Sequence, residues 1–195
     1  LENGYNIVGV VTATDKRGGR GNKKLIESAV KKFARSKNLP VLQPQKLRDT
    51  GFIEDLRQLK ADLQIVVAFR MLPELVWAMP RLGTFNLHGS LLPKYRGAAP
   101  INWAIINGEQ KTGVTTFFSR HQIDTGDILI QEEMGIAANE TAGDIHDRMM
   151  LLGAEVVLKT VRLIQTGDYS LKKQDHNLAT KAPKIFRETC EIDFD

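Results

Sequence analysis

The sequence has very little cysteine and no recognisable metal-binding spacing. Cys190 is the single cysteine among 195 residues, so no internal disulfide bond can form. One free cysteine fits a reducing compartment. There are four histidines and neither a C-x-x-C nor an H-E-x-x-H pattern, so a zinc site would need scattered ligands. We therefore predict that no metal takes part.

Long apolar runs are lacking as well. No stretch approaches the roughly 20 apolar residues that cross a bilayer, and no basic-then-apolar leader with a cleavage site is present. Apolar residues make up 42% of the chain and charged residues 26%, which is ordinary for a globular protein. The sequence thus predicts a cytoplasmic protein, and we expect a monomer.

Acidic residues are scarce in one stretch. Residues 16–37, KRGGRGNKKLIESAVKKFARSK, contain nine Lys or Arg and one Glu, although the net charge of the whole chain is only +4. Such dense positive charge attracts polyanions, and the glycines inside it would let the backbone lie close to a chain of phosphates. The alternative is a solvated helix face, a common reason for a basic run.

Strand and helix signals alternate along the chain. The short β-branched or apolar runs at 6–11 and 63–69 predict strands, and apolar residues at helical spacing predict helices over 23–38 and 139–167. The apolar strands look buried on both faces. The fold class expected is therefore α/β, with a doubly wound, mostly parallel sheet flanked by helices.

The two ends of the chain differ from this pattern. A doubly wound domain has a strand before its first helix, and we expect that strand to be missing here. Thr141 and Asp144 resemble a capping box at the start of the longest predicted helix, and Gly167 ends that helix. The polar residues 168–195 after it are typical of an irregular linker.

Two polar side chains lie near the end of one predicted strand. Asn86 and His88, in FNLHGS, project from the same face because they are two residues apart. Ligands bind at the carboxyl edge of strands in open α/β sheets. The alternative is that both groups are core residues that hydrogen-bond to the backbone.

An acidic residue follows the strand at 113–118 and should reach the same edge. Asp124 there would orient the His88 ring and favour its protonated form, whereas Asp127 in DTGD is typical of a turn. Asn86 and a protonated His88 could donate hydrogen bonds to an oxyanion. Without Ser or Cys at the usual nucleophile positions, this set favours direct acyl transfer to an amine.

The motifs around these residues resemble a known family. FNLHGSLLPKYRGAAPINWAIINGE, followed by TGVTTFF and IDTGDIL, is similar to the formyltransferases that use 10-formyltetrahydrofolate. The segments DKRGGRGNKK, LPVLQP and QDHNLATKAPKI are most similar to the members that formylate methionyl initiator tRNA. Two features depart from the family pattern: the first strand with its Gly-Thr-Pro loop is absent, and FFSRHQID replaces a Met-Asp pair.

The resemblance implies a Rossmann-like fold, 10-formyltetrahydrofolate as cosubstrate and initiator methionyl-tRNA as partner. It implies that residues 1–167 are an N-terminally incomplete catalytic domain and that residues 168–195 lead toward an absent C-terminal β-barrel domain. The residues that it assigns are catalytic Asn86, His88 and Asp124; folate-binding Arg70, Met71, Leu72, Ser90, Leu91, Leu92 and Pro93; and tRNA-binding Lys16, Arg17, Arg20, Lys23 and Lys24.

Three alternatives remain open at this point. The chain could be a formyltransferase of the same fold that acts on a sugar or another small-molecule amine. It could be a hydrolase that passes the formyl group to water. In a different class, it could be an RNA-binding module without catalysis, although such a module would not need Asn86, His88 and Asp124 together.

Overall fold

The computed structural model describes residues 1–18 and 24–192. The strands are β1 Val10–Val11, β2 Lys16–Gly18, β3 Lys24–Ile26, β4 Val41–Leu42, β5 Gln64–Val67, β6 Thr84–His88, β7 Arg96–Gly97, β8 Lys111–Phe118, β9 Ile128–Gly135 and β10 Lys181–Ala182. The helices are α1 Ala29–Ser36, α2 Thr50–Gln58, α3 Glu74–Trp77, α4 Pro100–Ile106 and α5 Ala142–Thr166. Contacts divide the chain into two units, Leu1–Gln64 with Phe69–Gly83, and Ile65–Ala68 with the residues from Thr84 onward.

The first unit has a small apolar core. Strands β1 and β4 pair in parallel. Asp49 caps α2, because its carboxylate accepts a hydrogen bond from the Phe52 N–H at 3.0 Å. Phe52 and Leu56 on α2 are buried against Leu47 and Val76. Burial of this helix face is what stabilises the short strand pair beside it.

The basic stretch starts as a β-hairpin, so the helix predicted from residue 23 is wrong at its N-terminal end. β2 pairs with β3 in an antiparallel arrangement. Helix α1 begins after Ser28, whose hydroxyl accepts a hydrogen bond from the Lys31 N–H at 3.1 Å. Leu25 and Ile26, which fit the helical spacing, lie on β3 instead and expose 63% and 54% of their surface. The helical spacing of Leu25 and Ile26 therefore does not indicate that these side chains are buried.

The second unit is built on a four-stranded sheet with the order β5-β6-β8-β9. The α/β class is confirmed, and the sheet is mixed, because β8 runs antiparallel to both β6 and β9. Residues 119–127, which join β8 to β9, are too few for the crossover helix that a parallel pair requires. Parallel pairing occurs between β7 and β10.

Helix α5 covers one face of this sheet. The predicted capping box is confirmed: Asp144 accepts from the Thr141 N–H at 2.8 Å, and Thr141 accepts from the Asp144 N–H at 3.3 Å. Gly167 ends the helix with a φ of 72°. The buried face of α5 packs against Leu87 of β6 and other apolar residues of the sheet. The opposite face of β6 is thereby left for Asn86 and His88.

Candidate functional site

Strand β6 holds the first two candidate side chains. Asn86 and His88 share one face of it, as their spacing predicted. His88 exposes 7% of its surface, and Asn86 is half-buried. Across the ladder, Asn86 pairs with Phe117 and His88 with Thr115, both buried on β8. A strand that pairs with neighbours in a sheet fixes these positions more tightly than a loop could.

The His88 ring lies between a carbonyl and a carboxylate. Its Nε2 is 2.8 Å from the Tyr95 carbonyl oxygen. Because a carbonyl only accepts, Nε2 must carry the hydrogen. Nδ1 lies 3.7 Å from Asp124 Oδ2, which is too long for a direct hydrogen bond but short for a pair of charges. Nδ1 is therefore the ring nitrogen left to exchange a proton.

Asp124 reaches His88 from the loop between β8 and β9. It exposes 8% of its surface, and its Oδ2 accepts a hydrogen bond from the Gly97 N–H at 2.9 Å. Its backbone is left-handed, with a φ of 54°, a conformation that Asp tolerates better than most residues. The structure thus brings His88 and Asp124 together, while their catalytic roles stay a prediction.

Asp127, which the sequence assigned to a turn, points elsewhere. Its carboxylate pairs with the guanidinium of Arg120 at 2.5 Å, and Arg120 is largely exposed. His121 in the same loop is exposed. Of the two aspartates in DTGD, only Asp124 lies beside the His88 ring.

A second polar cluster surrounds Tyr95. Its hydroxyl donates to Glu109 Oε1 at 2.7 Å and accepts from Asn107 at 3.1 Å. Burial, and then the hydrogen bond to the Glu109 carboxylate, raise the pKa of Tyr95 above its usual value. The same hydrogen bond lowers the pKa of Glu109, with Lys94 contributing. Tyr95 therefore stays protonated, and this cluster anchors the residue whose carbonyl accepts from His88.

The loop after β6 carries four of the predicted folate residues. Ser90 is fully buried, and its hydroxyl donates to the Lys94 carbonyl at 2.6 Å. Leu92 is buried against Phe117 and Ile128. Only Leu91 and Pro93 keep part of their surface exposed. Ser90 and Leu92 thus shape the loop, and Leu91 and Pro93 offer surface to a ligand.

Two side chains from the sheet fasten this loop. The Thr115 hydroxyl donates to the Ser90 carbonyl at 2.6 Å and accepts from the Leu92 N–H at 3.1 Å. Gln131, opposite Thr115 on β9, donates to the Leu92 carbonyl at 2.8 Å. A row of side chains across β6, β8 and β9 therefore supports both His88 and the loop. This row was not predicted from the sequence, although Thr115 and Gln131 are polar residues inside apolar strands.

The other three predicted folate residues lie in the first unit. Arg70 donates to the carbonyl oxygens of Gln45, at 2.8 Å, and of Pro44. Met71 exposes 66% of its surface, and Leu72 packs on the first apolar cluster. Arg70 and Leu72 therefore have structural partners, and Met71 is the most available of the three.

Three of the five predicted tRNA residues lie on the strands of the hairpin. Lys16 and Arg17 on β2 are exposed, Lys24 begins β3, and Arg20 and Lys23 lie outside the described residues. At the base of the hairpin, Asp15 pairs with Lys31 of α1 and accepts from Gln43 at 2.9 Å. The Gln43 hydrogen bond, and next that from Lys31, lower the pKa of Asp15. This network ties β2 to α1 and β4.

The part of the chain that the structure describes shows neither a metal-binding cluster nor a membrane-spanning helix. Within it, no group of three or more His, Cys, Asp or Glu is arranged to hold a metal ion. The prediction that no metal takes part stays a prediction. No helix in the same residues is long and apolar enough to span a membrane.

Comparison with known proteins identifies the family. A family model described as formyl transferase matches residues 2–161. The chain belongs to the formyltransferase family, as the sequence motifs predicted. A methionyl-tRNA formyltransferase of Parabacteroides distasonis is 57% identical over all of this chain. The chain spans 61% of the length of that relative.

Solved structures support the fold. HypX from Aquifex aeolicus, in complex with tetrahydrofolic acid, is 23% identical with a TM-score of 0.66, over 82% of this chain and 28% of that chain. A sugar N-formyltransferase from Shewanella sp FDAARGOS_354 is 19% identical with a TM-score of 0.69, over 84% of this chain and 64% of that chain. At these identities the likeness concerns the fold, and it agrees with the Rossmann-like class predicted.

Proposed function

We propose that the protein transfers a formyl group from 10-formyltetrahydrofolate to the α-amine of methionyl initiator tRNA. The observation that carries the proposal is the buried pair of His88 and Asp124, with Nδ1 3.7 Å from Oδ2, beside Asn86 on the same strand face. The 57% identity to a protein named methionyl-tRNA formyltransferase favours this acceptor over a sugar amine. An RNA-binding module without catalysis would leave the buried pair unexplained.

The chemistry follows from these groups. The amine nitrogen attacks the formyl carbon, and the formyl oxygen takes up negative charge. The Asn86 amide and a proton on His88 Nδ1 would stabilise that oxygen by hydrogen bonds, while Asp124 balances the charge of the ring. The bond from the formyl carbon to the folate nitrogen then breaks, and the proton lost by the amine is passed to that nitrogen.

The side chains available to the folate suit a flat, largely apolar ring system. Met71 in the first unit is exposed and apolar, and Leu91 and Pro93 in the second unit are half-buried and apolar. Backbone groups near them would supply the polar contacts that fix a ligand's orientation. In the second unit we assign Leu91 and Pro93 to direct contact with the folate, and Ser90 and Leu92 to shaping their loop. In the first unit, taken by itself, Met71 is the side chain available to a ligand, and Arg70 and Leu72 hold the backbone around it.

The basic hairpin supports a nucleic-acid partner. Lys16 and Arg17 are exposed on adjacent positions of β2 and would contact phosphates. The resemblance assigns Arg20, Lys23 and Lys24 to the same role. A small sugar amine offers no phosphate chain of matching length, so the hairpin favours tRNA as the acceptor. Formyl transfer to tRNA also agrees with the cytoplasmic location and monomeric state expected from the sequence.

The test is a turnover assay with the complete protein and 10-formyltetrahydrofolate. Charged initiator tRNA, a set of nucleotide-linked amino sugars, and water alone would be compared as acceptors. We expect formylation of methionyl-tRNA with a kcat/KM at least about a hundredfold above that for any amino sugar. Faster transfer to a sugar amine, or release of formate without an acceptor, would replace the proposal with one of the alternatives.

A further inference from the structure

The polar residues after α5 are hydrogen-bonded to the rest of the second unit. We call residues 172–183 the strap. Lys172 and Ile128 exchange backbone hydrogen bonds of 2.8 and 3.0 Å, and β10 pairs in parallel with β7. Ala182 is completely buried. Near the end of the strap, the Pro183 carbonyl accepts from the Trp103 indole at 2.8 Å. The strap is therefore fastened at both of its ends.

Between these anchors, Gln174 is buried against the loop that carries Asp124. It exposes 7% of its surface. Its Nε2 donates to the Asp124 carbonyl at 2.9 Å and to the Gly126 carbonyl at 2.8 Å. Its Oε1 accepts two hydrogen bonds from Arg96, at 2.6 and 3.2 Å. One amide thus links the loop before β9 to the first residue of β7.

The loop needs such a support. Asp124 is left-handed, with a φ of 54°, and its position depends on the turn around it. At Gly126 an added Cβ would lie 1.7 Å from the Phe118 carbonyl oxygen, so the turn passes against the end of β8. The two carbonyls that accept hydrogen bonds from Gln174, those of Asp124 and Gly126, belong to this same turn. Without a donor, these buried carbonyls would lose their partners.

The strap also holds the contacts on the other side of the His88–Asp124 pair. The Arg96 N–H donates to the Thr180 carbonyl at 2.9 Å, and the Tyr95 N–H donates to the Thr180 hydroxyl at 2.8 Å. Tyr95 supplies the carbonyl next to His88, and β7 supplies the Gly97 N–H next to Asp124. Both partners of the pair are thus held by backbone that the strap fixes.

We propose that Gln174 is a positioning residue for the reaction, which sets the Asp124 carboxylate at its working distance from His88 Nδ1. This proposal rests on the proposed function of the pair. The hydrogen bonds of Gln174 go to backbone carbonyls of the Asp124 loop and to Arg96, so it acts on the pair through these groups. A change at Gln174 should therefore reduce kcat and leave the KM values nearly unchanged.

Gln174→Glu is the sharpest variant, because it keeps the size of the side chain and its acceptors for Arg96. It replaces the two N–H donors with an oxygen that faces two carbonyls. We expect kcat to fall by about tenfold or more, with the KM for folate and for tRNA within about threefold of wild type. Gln174→Met, which has similar length and no polar group, is the second variant.

A double-mutant cycle separates positioning from general destabilisation. In an Asp124→Asn background, Gln174→Glu should lower kcat by less than about threefold, because the carboxylate that it positions is gone. Trp103→Phe is the matched control, because it removes the hydrogen bond that the Trp103 indole donates to the Pro183 carbonyl of the strap and leaves the hydrogen bonds of Gln174 in place. We expect that control to keep kcat within about twofold while lowering the unfolding temperature slightly.

Each outcome decides between the explanations. An unchanged kcat in Gln174→Glu, beside an impaired Asp124→Asn, would overturn the positioning role alone. Equal losses in both backgrounds, or failure of both Gln174 variants to fold, would assign Gln174 to stability and overturn it too. A wild-type rate in Asp124→Asn would overturn the proposed function, and the role of Gln174 with it.

Discussion

Asp124→Asn removes the charge of the carboxylate with little change in shape. An asparagine oxygen can still accept the 2.9 Å hydrogen bond from the Gly97 N–H, so the loop should stay in place. What is lost is the attraction between the carboxylate and a protonated His88 ring. Any fall in kcat would then result from the lost charge of the carboxylate and not from a displaced loop.

The magnitude follows from the distance and the burial. At 3.7 Å two unit charges attract by roughly 1 kcal/mol in water and by about 4.5 kcal/mol at an effective dielectric constant of about 20. The side chains of His88 and Asp124 expose only 7% and 9% of their surface, which favours the upper part of that range. If the ring is charged only in the transition state, kcat should fall by about 10²- to 10³-fold.

The assay is formyl transfer to charged initiator tRNA at saturating folate, with thermal unfolding to show that the variant is folded. Asp127→Asn is the matched control, because Asp127 lies in the same loop and pairs with the exposed Arg120 instead of His88. That control should stay within about threefold of wild type. A folded Asp124→Asn variant with a similarly small loss would refute the charge argument.

Three further changes have expected outcomes. Gly97→Ala would place a Cβ 2.5 Å from the Ala182 carbonyl oxygen at a φ of 128°, so the free energy of unfolding should fall by about 2 kcal/mol or more. Gly135→Ala is the control, because the space around Gly135 is open and the free energy of unfolding should change little. Equal effects of the two substitutions in chemical denaturation would count against the packing of the strap. Because the pKa of Tyr95 is raised in the folded protein, the stability that Tyr95 contributes is complete below the usual pKa of 10.0 and is lost as the pH rises through the raised value. The free energy of unfolding, measured between pH 8 and 12, should show this loss in the wild type and a smaller loss in Tyr95→Phe. Identical pH dependence in the two proteins would contradict the prediction. Arg17→Ala should raise the KM for tRNA but not the KM for folate. If Arg17 contacts one phosphate, the substitution should also reduce the slope of log affinity against log salt by roughly 0.7 to 0.9. An unchanged slope would mean that the hairpin is an ordinary solvated surface.

Much of the candidate site could be predicted from the sequence, because its side chains follow simple periodicities. Asn86 and His88 are two residues apart in a strand, and a period of two puts them on one face whatever the neighbouring strands do. Asp124 could be assigned to the same region because it follows the strand that ends at Phe118. That reason was incomplete, because β8 is antiparallel to β6 and its end at Phe118 pairs with Phe85 at the start of β6. The loop after β8 brings Asp124 back to His88, and strand order alone does not indicate this.

The basic stretch shows where periodicity is ambiguous. Leu25, Ile26, Val30 and Phe33 have the spacing of a helix face, but all four expose more than half of their surface, and the first two belong to a strand. A short apolar pair fits either element, and the pairing partner decides. The antiparallel partner is β2, whose Lys and Arg residues have no strong strand preference.

Gln174 could not be found from the sequence because its partners are backbone carbonyls. A glutamine in a polar segment is usually solvated, and nothing in QDHNLATKAP marks one residue as buried. The sequence signs of this support are instead two nearby glycines, Gly97 and Gly126. Gly97 must be glycine because the Ala182 carbonyl lies where its side chain would be, and Gly126 because the Phe118 carbonyl does. Glycines at such close approaches, one at the end of β7 and one two residues after Asp124, are the sequence signs of a support built from backbone. His88 is thus placed by a strand, and the Asp124 carboxylate opposite it is placed by hydrogen bonds to main-chain atoms. Substitutions that preserve both side chains could therefore still separate the two.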